Sequence, residues 1–187
     1  FTASGLSLWT NNYGSTFAVS AVAVSSNGNV IVTGYQGTLA YSGSGVPLWT
    51  NRTWGAAVAI APSGNIYVAG SPPGGGSYST IAYSSVGVAL WTNYSQTANG
   101  SLQPSAIAVD NRGNIYVTGS STGINRKQDI VTFKYSQTGE LVWIGRYNGP
   151  ANGDDTPLST SSLTIGPDDA VYVIGASDGD YSTNTVN

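Results

Sequence analysis

The chain has 187 residues, 40% hydrophobic and only 8% charged, with a net charge of −3. So few cations leave no basic stripe for a phosphate backbone, and no apolar run approaches the ~20 residues of a membrane-spanning helix. With no His and no Cys, the commonest general base, the thiol nucleophile, disulfide bonds and most transition-metal sites are all removed.

Two phrases alternate along the chain. It opens on "FTASGLSLW" (residues 1–9), whose aromatic, Gly four on and Trp eight on return in "YSGSGVPLW" (41–49), "YSSVGVALW" (83–91) and "YSQTGELVW" (135–143). Two strands around a Gly-containing turn are the expectation for each. Between these lie "AVAVSSNGNVIVTG" (21–34), "AVAIAPSGNIYVAG" (57–70), "AIAVDNRGNIYVTG" (106–119) and "SLTIGPDDAVYVIG" (162–175). Four largely apolar residues, a polar turn, a β-branched and aromatic run and a closing Gly describe a β-hairpin. Each repeat therefore holds two hairpins.

The spacing fixes the architecture. Turn positions Gly28, Gly64, Gly113 and Asp169 are 36, 49 and 56 residues apart, and Trp9, Trp49, Trp91 and Trp143 are 40, 42 and 52 apart. Four strands in a period of roughly 40 to 50 residues is a propeller blade, whereas solenoid coils repeat at about half that length or less.

The phrases "AIAVDNRGNIYVTGSS", "DIVTFKYSQTGELVW" and "RYNGPANGDD" resemble the bacterial β-propeller repeat called SBBP. The similarity runs through nearly the whole chain and is sharpest from 104 to 155. The first two repeats are shorter, without the acidic segment, and the fourth has Asp169 and Ala170 in place of Gly-Asn. The resemblance implies a propeller in a secreted or surface-exposed protein and implies no catalytic activity, since propellers host many functions.

The expected fold is thus all-β, a β-propeller of about four four-stranded blade repeats. It is either a single domain, 1–187, or one segment of a longer array. The blades lie near 18–49, 55–91, 104–143 and 159–187 plus 1–10. The two ends read as halves of one blade, because "TNTVN" followed by "FTASGLSLW" parallels "DIVTFKYSQTGELVW". The last blade is then completed by strands from both termini, by a neighbouring repeat or by another subunit. An open blade edge is a template for strand addition, which makes self-association through terminal strand edges the leading partner expectation. A chain without Met that opens at Phe1 reads as a mature or excised piece.

The long, variable connections between hairpins and between blades are the place for recognition. Trp54, beside Asn51 and Arg52 in "NRTWG", is the only Trp outside the repeated phrase. It either stacks on a sugar ring or plugs the space between blades. Tyr94 and Tyr147 follow the repeat tryptophans at similar offsets, and packing is the stronger reading for both. Asp154, Asp155, Asp178 and Asp180, in "NGDD" and "SDGDYS", carry oxygen ligands suited to Ca²⁺. Neither segment matches the twelve-residue calcium loop, and solvated Asp in Gly-rich turns is the competing account. With Asp154 or Asp155 facing Asp178 or Asp180, the same carboxylates are the pair a glycosidase would use. The glycines of "SPPGGGS" (71–77) precede no helix and lack a phosphate-loop Lys, so they read as a blade loop. Sequons at Asn51, Asn93 and Asn99 lie in the long connections and are candidate glycosylation positions.

These features describe a non-enzymatic extracellular or cell-surface module that self-associates or presents loops to partners, as in a filament or adhesin. The alternative is a carbohydrate-binding propeller using the long-loop side. No cofactor is expected beyond calcium, and no nucleic acid or membrane span enters the account.

Overall fold

The computed structural model describes residues 1–13, 18–70, 78–95, 102–123 and 126–178. Within them the two phrases of a repeat fold as one antiparallel sheet. The first contains β1 (Val19–Val24), β2 (Val30–Gly34), β3 (Gly37–Tyr41) and β4 (Pro47–Asn51). The second contains β5 (Ala57–Ile60), β6 (Ile66–Gly70), β7 (Tyr78–Tyr83) and β8 (Ala89–Ser95). The third contains β9 (Leu102–Val109), β10 (Ile115–Thr122), β11 (Gln128–Tyr135) and β12 (Leu141–Tyr147). Strand order follows chain order in all three sheets. We call them blades 1, 2 and 3.

The turn residues impose this register. In blade 1 the Gly28 amide donates to Ser25 and the Ser25 amide to the Asn29 carbonyl. Gly28 has φ 83°, the left-handed step that follows a type I turn in a short hairpin. Its neighbours Val24 and Val30 are then paired across the strands. The fourth repeat reaches the same end with Asp169, at φ 62°, one of the few non-Gly residues that tolerate this conformation. Its hairpin, β14 (Leu163–Ile165) with β15 (Val171–Val173), is continued by β13 (Asp155–Pro157) with β16 (Gly175–Ser177). These pairs form blade 4. The expected completion of that blade by residues 182–187 lies outside the described residues, as do Asp180 and Asn99.

One strand expectation is not met among the described residues. Residues 1–9 form the predicted turn, with the Thr2 amide on the Leu6 carbonyl and the Gly5 amide on Thr2, yet they pair in no ladder. Elsewhere the outermost strand hydrogen-bonds to β3, β7 or β11; no such strand lies beside residues 1–9 among the described residues.

Because both faces of each sheet carry apolar residues, the core lies between blades. The first strands β1, β5, β9 and β14 meet in succession, which places them on the inside of the array. Ile31, Ala40 and Trp49 of blade 1 pack on Val58, Ile60, Ile66, Val68, Ile81 and Tyr83 of blade 2. Tyr67, Ala82 and Trp91 of blade 2 pack likewise on Ile107, Ile115, Val117, Phe133 and Tyr135 of blade 3. Ala106 and Tyr116 of blade 3 then meet Leu163, Ile165 and Val171 of blade 4. Each fully buried aliphatic side chain contributes about 1.5–3 kcal/mol.

Ile115 is fully buried in the interface between blades 2 and 3. Ile115→Ala is expected to cost about 2–5 kcal/mol in urea unfolding. Val86→Ala, at an exposed turn position, should stay within about 0.5 kcal/mol. Equal costs would contradict an interblade core.

Candidate interaction surface

The repeated tryptophans do more than fill space. Trp49, on the outer strand of blade 1, donates its indole N–H to the Ser85 carbonyl of blade 2 at 3.3 Å, and Asn51 donates its side-chain amide to Gly87 at 2.9 Å. Blade 2 grips blade 3 identically, Trp91 donating to Gln137 at 2.9 Å and Asn93 to the Gly139 carbonyl. Residues 1–13 grip blade 1 through Trp9 on Gly43 at 2.9 Å and Asn11 on Gly45 at 2.7 Å. A Trp-x-Asn segment of one unit thus recognises the tight turn of the next. The signal was present in the sequence as "WTN" three times. Reading Trp alone as a packing residue missed the asparagine.

The turn glycine is required twice over. Gly45, Gly87 and Gly139 have φ of 84°, 82° and 86°, and a Cβ on any of them would lie 2.6–2.7 Å from the indole of Trp9, Trp49 or Trp91. The ring therefore lies directly on the glycine. It also tilts against the tyrosine that opens the phrase, with centroids 5.9 Å apart for Trp9 and Tyr41, 6.1 Å for Trp49 and Tyr83 and 6.3 Å for Trp91 and Tyr135. Such contacts add to burial.

Two halves of this latch stand open among the described residues. The Thr2–Leu6 turn has the same hydrogen bonds and Gly5 the same φ, 84°, but a Cβ on Gly5 would meet nothing within 4 Å. Trp143 remains 37% exposed, with Gly145 where the other copies have Asn. Beside residues 9–13 runs a groove of about 310 Å³, walled by Trp9, Asn11, Tyr13, Val19, Val32 and Tyr41.

The structure disperses the residues singled out from sequence. Trp54 is half-buried between blades 1 and 2, its ring edge-on to Tyr35 at 5.3 Å, while Arg52 is exposed. Tyr94 and Tyr147 are largely exposed on the outer strands of blades 2 and 3. This corrects the packing reading for both, since an outer strand turns alternate side chains away from the core. Asn51 and Asn93, the two sequon positions among the described residues, hold the latch. Asp154 accepts from the Gln128 amide and from Lys127 Nζ at 3.1 Å, contacts that hold its carboxyl below the usual range. Asp155 is fully buried and accepts from the Gly149 amide at 2.6 Å. Asp178 lies 3.5 Å from the Asp154 amide. Among the described residues no three acidic side chains converge on a metal position.

Asp110, buried in the first turn of blade 3, accepts four hydrogen bonds from its own hairpin. Burial pushes it up, but hydrogen bonds from the Asn114 side chain and amide, the Tyr116 hydroxyl and the Arg112 amide outweigh this and hold it below its ordinary 3.8. A carboxyl lowered in the folded state stabilises above its unfolded value and loses that contribution as pH falls through the folded one. The stability advantage of the native chain over Asp110→Asn should therefore be full at neutral pH. It should shrink below about pH 4, as read from urea midpoints across pH. The latch is tested by two glycines. Gly64→Ala, at φ 87° where an added Cβ would meet only Ser85 at an ordinary 3.8 Å, should cost about 1–2 kcal/mol from backbone strain alone. Gly87→Ala should cost more, because Trp49 must leave its seat. Equal losses by fluorescence-monitored unfolding would remove the latch.

Comparison with known proteins agrees with this architecture. Residues 90–125 match the family model SBBP, described as a beta-propeller repeat. No curated protein matches the sequence. Among solved structures, a protein of unknown function from Bacteroides caccae aligns with a TM-score of 0.60 at 16% identity, over 88% of this chain and 55% of that one. BamB from Moraxella catarrhalis aligns with a TM-score of 0.60 at 16% identity, over 87% of this chain and 49% of that one. The chain thus spans about half the length of each. At this identity the likeness speaks to fold alone. The chain is an all-β protein of propeller architecture whose residues 90–125 match the SBBP beta-propeller repeat.

Proposed function

We propose that this chain is a non-enzymatic structural module of the cell exterior, which works by associating with further blades of its own kind. The observation that carries this reading is the pair of apolar faces left bare at opposite ends of the blade series. Val22 and Val24 of blade 1 are 62% and 65% exposed, and Tyr172 and Ile174 of blade 4 are 57% and 61% exposed. Exposed apolar patches of this kind mark interaction sites. The low charge supports the same reading, since little repulsion opposes the approach of two copies. Its tests begin with mass in solution. Light scattering across a wide concentration range should show the 187-residue chain forming dimers or larger assemblies as concentration rises. A monomer at every concentration would overturn the reading.

A second reading, carbohydrate binding, is favoured by one feature. Tyr35 is 67% exposed and abuts Trp54, beside the exposed Arg52, so the pair offers an aromatic surface next to a hydrogen-bond donor. Under this reading Trp54→Ala abolishes glycan binding on an array and leaves mass unchanged. Binding that survives the substitution would exclude this site.

A further inference from the structure

We propose that the groove beside blade 1 is the seat of a second copy of this chain, whose blade 4 enters it head to tail. This inference rests on the self-association reading and names its surfaces.

Blade 2 shows the same face when occupied. Its Val58, Ile60 and Val68 are covered by Ile31, Ala40 and Trp49 of blade 1. The repeat places Val22, Val24 and Val32 at those positions in blade 1. There, Trp9 covers only the outer end, at Tyr41, and the two valines of β1 remain bare. The groove is walled by Val32 of this face together with Val19, Trp9 and Tyr41.

The complementary surface stands at the other end of the chain's own series. Tyr172 occupies the position of Ile31, Tyr67 and Tyr116, each 1% exposed in its blade, and Ile174 that of Thr33, Ala69 and Thr118, each fully buried. Bringing Tyr172 and Ile174 of one copy onto Val22 and Val24 of another repeats an interface the chain already forms three times.

The Thr2–Leu6 turn supplies the lock. In every other copy the indole comes from the blade preceding the one that carries the turn. A second copy with blade 4 in the groove brings its blade 3 to that place. Trp143 of the second copy then lies on Gly5, its indole N–H directed to the Ala3 carbonyl, the equivalent of Gly43, Ser85 and Gln137. With Gly145 in place of Asn, this latch has one hydrogen bond where the others have two, which suits a contact that forms and releases. Since one chain spans about half of each similar structure, two copies supply the length of one such fold.

A chain without cysteine permits a direct test. Val24→Cys chains mixed with Tyr172→Cys chains should give a disulfide-linked heterodimer under mild oxidation. Gly5→Ala should weaken self-association at least tenfold. Gly28→Ala, with the same positive φ and the same open space, should leave it unchanged and so controls for backbone strain. Self-association that persists without the crosslink and ignores Gly5→Ala overturns this seat while leaving the association reading intact. A Val24→Cys/Tyr172→Cys chain that crosslinks within a monomer overturns the second copy as the occupant. A chain that stays monomeric and never crosslinks removes both readings.

Discussion

A sheet with apolar residues on both faces needs a neighbour on each side, and every feature of this molecule follows from that requirement. In blade 2, Val68 and Ile81 look back to blade 1, while Tyr67 and Ala82 look forward to blade 3. Neither set is covered within the blade itself. The unit of stability is accordingly the interface between blades, as nearest-neighbour contacts decide stability in other repeat proteins. The end faces must then be supplied with partners or remain in water.

Apolar packing alone does not set the order or angle of such sheets. Valines on valines can slide, and a blade offset by one strand would bury nearly the same area. The indole latch removes that freedom. A Trp lying on a glycine, with its N–H on the carbonyl two residues before and an Asn amide on the glycine's own carbonyl, defines one position along the neighbouring turn. The latch also has a direction, because the donor always belongs to the preceding unit and the acceptor to the following one. The series of blades is therefore polar.

The sparse charges are arranged around this scheme rather than within it. Arg112 reaches Asp169 at 3.1 Å between the first turns of blades 3 and 4, and Lys127 reaches Asp154 between the same blades. Surface pairs of this type add about 0–1 kcal/mol. Arg146 lies with the buried Asp129 and also donates to Ser121 at 2.9 Å, which ties the outer strand of blade 3 to its core. The hydroxyl of Tyr78, deep between blades 2 and 3, is pushed well above its ordinary value by burial, so it stays neutral at any physiological pH.

The sequence by itself determined the hairpins, their repeat and the propeller class, because these depend on local chemistry: β-branched alternation, a left-handed residue at Gly28 or Asp169, and a period long enough for four strands. It also placed the aromatic, Gly and Trp of the second phrase at fixed offsets. Their purpose was not legible, since Trp49 and its seat on Gly87 are far apart in the chain and only the stacking of blades brings them together. The same stacking makes Asn51 and Asn93 interblade ties and brings Lys127 onto Asp154. Which valines are core and which are bare was equally beyond the local pattern. Val22 and Val58 occupy the same place in the same phrase, and only the presence or absence of a neighbouring blade distinguishes them.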